Sequence, residues 1–90
     1  MATVIIVTKL MPSSPQANLS KIKETASNIL QKEGAKNISF EERPIAFGLK
    51  ALIIKMDLAE EKGTDRVESL LAEIPEVSSV TIEEYRRAFG

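Results

Sequence analysis

The stretch Leu49-Lys50-Ala51-Leu52-Ile53-Ile54-Lys55-Met56-Asp57-Leu58 is almost continuously apolar and contains neither glycine nor proline. A run this short, bounded by Gly48 before it and Glu60 to Gly63 after it, reads as a strand buried on both faces. A second such run, Ala2 to Met11, is rich in valine, isoleucine and threonine and stops at Pro12-Ser13-Ser14-Pro15. These two stretches are expected to be the central strands of one sheet.

The segments between and around them carry other periods. From Asn18 the apolar residues Leu19, Ile22, Ala26, Ile29 and Leu30 recur at helical spacing, with Asn18 as N-cap and Gly34 as stop. Ala35 to Arg43 puts Ile38 and Phe40 on one face of a more exposed strand, interrupted at Pro44. Glu60 to Gly63 predicts a turn, and Thr64 or Asp65 a cap for a helix bearing Val67, Leu70, Leu71 and Ile74, ended by Pro75. Val77 to about Arg86 returns to period two, with Val80 and Ile82 facing one way and Thr81 and Glu83 the other. The order strand, helix, strand, strand, helix, strand is the ferredoxin-like βαββαβ plan, an α+β fold. Right-handed crossovers put both helices on one face of a four-stranded antiparallel sheet, with the first and third strands central.

Ninety residues suit one domain, spanning 1–90. The 43% apolar and 28% charged content suits a soluble globular chain. Twelve basic and thirteen acidic residues nearly cancel, so no global positive field steers the chain onto nucleic acid or anionic membrane. The apolar start has no basic stretch before it and runs into Pro12 rather than a small-residue cleavage site. No later run reaches the roughly 20 apolar residues of a membrane helix, so a cytoplasmic location is expected.

Histidine and cysteine are absent, which removes imidazole acid/base catalysis, thiol chemistry and His/Cys zinc sites. The adjacent pairs Glu41/Glu42, Glu60/Glu61 and Glu83/Glu84 do not read as hydrolytic dyads, because neighbouring strand residues point to opposite faces and loop pairs are usually solvated. Neither a Walker GxxxxGK[ST] nor a dinucleotide GxGxxG is present, so no phosphate cradle and no cofactor are expected.

Two segments remain open to more than one reading. In Arg43-Pro44-Ile45-Ala46-Phe47-Gly48, Phe47 is either a core plug at the start of a strand, with Gly48 allowing a bulge, or an exposed aromatic anchor for a partner. At the carboxyl end, Tyr85-Arg86-Arg87-Ala88-Phe89-Gly90 is either a solvated tail or a cationic finger aimed at phosphate or at a metal ion's place. Lys62 and Arg66 read as ordinary surface charges.

Together these segments resemble the archaeal elongation factor one-beta family of guanine-nucleotide exchange domains. The resemblance is carried first by Pro44-Ile45-Ala46-Phe47-Gly48-Leu49-Lys50-Ala51-Leu52. Met11-Pro12, Gly63-Thr64-Asp65 and Val77-Ser78-Ser79-Val80 before a basic end follow in matching order, so it covers essentially the whole chain. It implies that the partner is the GTPase elongation factor one-alpha, which holds the GDP and Mg²⁺, and that GDP is replaced by GTP on that partner before aminoacyl-tRNA delivery. No bond-making chemistry, direct nucleic-acid contact or membrane contact is implied. The partner-binding residues implied are Phe47, which inserts into a pocket of the GTPase, with Pro44 and Gly48 shaping its loop. Arg87 stands where eukaryotic relatives carry a lysine that reaches the magnesium site, and Arg86 is the alternative source of that charge. Two other readings compete: an open sheet face that binds single-stranded RNA, and a dimeric small-ligand regulatory domain.

Overall fold

The computed structural model describes residues 2–88. Its strands are β1 (Thr3–Pro12), β2 (Lys36–Pro44), β3 (Lys50–Ala59) and β4 (Val77–Ala88); the helices are α1 (Leu19–Lys32) and α2 (Thr64–Ala72). The sheet order is β2-β3-β1-β4 and every pairing is antiparallel. This is the expected ferredoxin-like α+β arrangement, with β1 and β3 at the centre.

One apolar layer joins sheet and helices. Val4, Ile6 and Leu10 of β1 and Leu52, Ile54, Met56 and Leu58 of β3 are buried. They share one cluster with Ile22, Ala26 and Leu30 of α1 and Val67 and Leu71 of α2. Because strand side chains alternate, these even-numbered positions define the helix-covered face. Phe40, Val80 and Ile82 pack on the same cluster from the edge strands, as the period-two reading of β2 and β4 predicts. Thr8 is the one buried polar side chain among the described residues, and its hydroxyl lacks a partner.

The opposite face carries no helix, yet Ala51 and Ile53 of β3 are buried there, at 0% and 6% exposure. Arg43 reaches from β2 across the two central strands to Glu83 of β4, at 3.4 Å. Strand β4 is irregular here: Val7 pairs with Glu84 but Thr8 with Ile82, leaving Glu83 as the extra residue of a bulge.

Several local readings are refined. Asn18 caps α1, its side chain accepting from the Lys21 N–H at 3.1 Å, and Gly34 follows the helix with φ 86°. Neither Thr64 nor Asp65 caps α2, which is a correction. Gly63 holds the N-cap position at φ 77°, without a side-chain bond, and Thr64 is already helical. The turn before α2 leaves through a positive φ that glycine adopts freely, so the capping position falls one residue early. Helix α2 ends at Ala72, ahead of Pro75. Pro12 and Pro44 each close a strand rather than stand outside it.

Candidate functional site

The hairpin joining β2 to β3 is closed by the pair Pro44 and Lys50. Within it the Ile45 N–H donates to the Leu49 carbonyl at 2.8 Å, and the Leu49 N–H to the Ala46 carbonyl at 3.3 Å. The chain can fold back this tightly because two successive residues are left-handed: Phe47 at φ 61°, ψ 33° and Gly48 at φ 76°. Glycine adopts that conformation freely, whereas for a bulky side chain it is a strained exception. Such strain persists where the surroundings over-determine it, and it gathers at binding and switch segments.

The result is an aromatic ring held in solvent. Phe47 is 94% exposed and Ile45, two residues before it, is 36% exposed. The core-plug reading of Phe47 is therefore wrong: the tip of a tight hairpin lies beyond the end of the sheet, out of reach of the core. On the helix-covered side of the hairpin a groove of about 300 Å³ runs between Gly48 and Lys50 and the β1–α1 connection at Pro12, Pro15 and Asn18. A methyl added at Gly48 would lie 3.9 Å from the Pro15 side chain, so the two loops are in close register. Lys23 of α1 braces the hairpin's stem, its ammonium 2.9 Å from Glu42, whose carboxyl group this bond holds below its ordinary pKa.

The carboxyl-terminal arginines lie elsewhere. In the β1–β4 ladder, Ile5 faces Arg86 and Val4 faces Arg87. Ile5 belongs to the helix-free face and Val4 to the buried one, so the two arginines project to opposite sides of the sheet. Arg86 pairs with Glu84 on its own strand at 2.7 Å. Arg87 binds Glu60, the first residue of the 3-10 turn Glu60–Lys62, through Nε at 3.1 Å and also through Nη2. Glu60 is itself fixed, its N–H donating to the Ala2 carbonyl at 3.0 Å. The hydrogen bond from Arg87 to Glu60 raises the guanidinium pKa above its ordinary value. Phe89 and Gly90, the rest of the expected finger, lie outside the described residues, as does the side chain of Ala88.

The structure thus brings Pro44, Phe47 and Gly48 together and holds Arg86 and Arg87 apart from them. Beside the hairpin lies the Pro12 end of β1, whereas Arg87 is one residue from the Thr3 end. Nine residue steps along β1 separate those ends, about 30 Å at strand rise. Among the described residues, no one pocket can contain both groups.

None of the three adjacent carboxylate pairs forms a dyad. Glu42 is engaged by Lys23 and Lys50, Glu60 by Arg87, Glu83 by Arg43 and Glu84 by Arg86. Arg66 is more than a surface charge, since it binds Glu33 and so ties α2 to the end of α1. Ile45 and Glu60 are the site neighbours that sequence reasoning did not select. Ile45 was signalled by its place in a loop too short to turn inward; Glu60 becomes adjacent to Arg87 only through the sheet.

Residues 5–88 match the family model described as the EF-1 guanine nucleotide exchange domain. The chain belongs to that family. It is 42% identical over 85 residues to elongation factor 1-beta of Methanocaldococcus jannaschii, covering 92% of this chain and 96% of the relative. Elongation factor 1-beta of Methanosphaera stadtmanae is 38% identical over 88 residues, with 97% and 98% covered. The Methanocella arvoryzae protein of that name is 37% identical over 90 residues, with 99% and 100% covered. An uncharacterized protein of Thermotoga maritima, TM1266, shares the fold with a TM-score of 0.51 at 10% identity, covering 93% of this chain and all of that one. Among the described residues no helix is long and apolar enough to cross a membrane.

Proposed function

We propose that this chain acts as the guanine-nucleotide exchange factor of the translation GTPase elongation factor one-alpha, promoting replacement of GDP by GTP. Membership of the exchange-domain family supports the activity class, and the observation that carries the mechanism is Phe47, held left-handed and 94% exposed at a hairpin tip. A GTPase holds GDP largely through its phosphates and Mg²⁺. An exchange factor must therefore stabilise the nucleotide-poor, metal-poor state of the partner more than the loaded one. Speeding release by about 10³ to 10⁵ requires lowering the barrier by roughly 4 to 7 kcal/mol. One buried aromatic together with a well-placed cation is of that order.

In this reading Phe47 enters an apolar pocket of the GTPase while Pro44 and Gly48 fix the loop that presents it. Arg87, or Arg86 from the other face, offers its guanidinium to the anionic surroundings of the partner's magnesium. The separation of about 30 Å then requires two distinct contact points on the partner. The chain makes and breaks no bond itself, and it works as one unit over residues 1–90. By linkage, GDP weakens the grip of the factor on the GTPase by the factor through which the factor weakens GDP.

The RNA-binding alternative draws no support from the sheet. Phe40 packs toward the core, Tyr85 faces Ile6 on the helix-covered side, and Phe47 lies in the hairpin. Among the described residues the helix-free face therefore has no aromatic platform on which bases could stack.

The test is release of fluorescent GDP from the cognate elongation factor one-alpha. Substoichiometric amounts of the chain are expected to accelerate it catalytically. A titration to saturation that leaves the release rate unchanged overturns the proposal.

A further inference from the structure

We propose that Glu60 is a competitor built into the fold for Arg87, occupying the edge of the guanidinium that an anionic site on the partner would take. The inference rests on the reading of Arg87 as a partner contact and adds the residue that sets how readily that contact forms. Nε and Nη2 are the donors with which arginine grips a carboxylate or phosphate in parallel, and here both lie on Glu60 Oε1. Glu60 cannot drift away with its partner, because its backbone is tied to Ala2 and begins a 3-10 turn. Arg87, by contrast, is anchored only through its backbone in the ladder with Val4, and its side chain is 64% exposed. The guanidinium is thus free to exchange one anion for another without unfolding the strand.

Docking exchanges one pairing for another. The Arg87–Glu60 bond opens, the guanidinium turns to the partner's anion, and the Glu60 carboxylate is left to water. An exposed pair of this kind weighs lightly on stability, and in docking the same small quantity appears as a loss of affinity. Neutralising Glu60 while keeping its size weakens its hold on the guanidinium and so removes the competition. Glu60→Gln is then expected to lower the apparent KM for the GTPase by about two- to five-fold. The kcat should be unchanged, because the nucleotide-releasing contacts are the same once docked.

The experiment is steady-state and stopped-flow release of fluorescent GDP from elongation factor one-alpha, with wild type, Glu60→Gln, Arg87→Ala and the double variant, thermal melting confirming the fold of each. The expected result is a lower KM in Glu60→Gln and loss of that gain in the double variant, which then matches Arg87→Ala. A KM that is unchanged or raised in Glu60→Gln, alongside an impaired Arg87→Ala, overturns the competitor and makes Glu60 at most a support for the arginine. A gain that survives in the double variant also overturns it, since the carboxylate would then act on the partner rather than through Arg87. An Arg87→Ala protein that exchanges like wild type removes the arginine contact itself, a failure of the underlying reading.

Discussion

Replacing Phe47 with alanine separates partner contact from folding more cleanly than any other single change in this chain. The ring is 94% exposed, so its removal costs the free protein almost no buried apolar area. The backbone stays left-handed at φ 61°, a conformation about as unfavourable for alanine as for phenylalanine. Stability should therefore change by no more than about 0.5 kcal/mol, the range of surface substitutions without a structural role. Burying the ring in a partner pocket is worth about 1.5 to 3 kcal/mol, and each 1.4 kcal/mol is about tenfold. The second-order rate constant for GDP release should then fall by about ten- to hundred-fold. The assay pairs denaturant unfolding of the variant with stopped-flow release of fluorescent GDP from elongation factor one-alpha over a range of factor concentrations. A Phe47→Ala protein that unfolds at the wild-type midpoint and accelerates release within a factor of about two would refute the anchor. Loss of activity accompanied by a large drop in stability would refute the premise that the ring is spare to the fold.

Gly48→Ala should destabilise the protein by about 1 to 2 kcal/mol: the new methyl meets only Pro15 at 3.9 Å, but φ stays at 76°, and denaturant midpoints measure the difference. The Glu33–Arg66 pair should give a small acid sensitivity of stability. Glu33 has its pKa lowered by the hydrogen bond from Arg66, with ordinary value 4.5, so the contribution is complete above that value and lost as pH falls through the lower folded one. Midpoints at neutral pH and in acid should show Arg66→Ala abolishing this part of the loss, and an identical acid response in the variant would contradict it.

The sheet was readable in the sequence because its two central strands are made of runs that solvent-facing strands do not carry. The reason for those runs is only half the expected one. Val4, Ile6, Leu52 and Ile54 are apolar because helices cover them, whereas Ala51 and Ile53 are buried on the face that carries no helix, where Arg43 of one edge strand pairs with Glu83 of the other. Composition reports that a position is shielded and is silent about what shields it. Asn18 was legible as a cap because side-chain chemistry specifies that role locally. Gly63 was not, because a positive φ at a helix start belongs to the turn before it.

The candidate site divides in the same way. Pattern matching identifies Phe47 as unusual, but whether an aromatic turns inward depends on where the sheet ends, which the pairing of Pro44 with Lys50 decides. With the hairpin closed there, the ring has no route back to the core, and the left-handed backbone is the local consequence. At the other end, adjacency of Arg86 and Arg87 in sequence suggested interchangeable charges. The strand gives them opposite faces and different acidic partners, Glu84 and Glu60. A partner that docks against one face can use only one of them, so separate Arg86→Ala and Arg87→Ala variants report which face of the sheet it covers. If only Arg87→Ala slows GDP release, the GTPase reaches over the helix-covered side beside Glu60; if only Arg86→Ala does, it approaches the helix-free face, and Arg87 remains bound to its own glutamate.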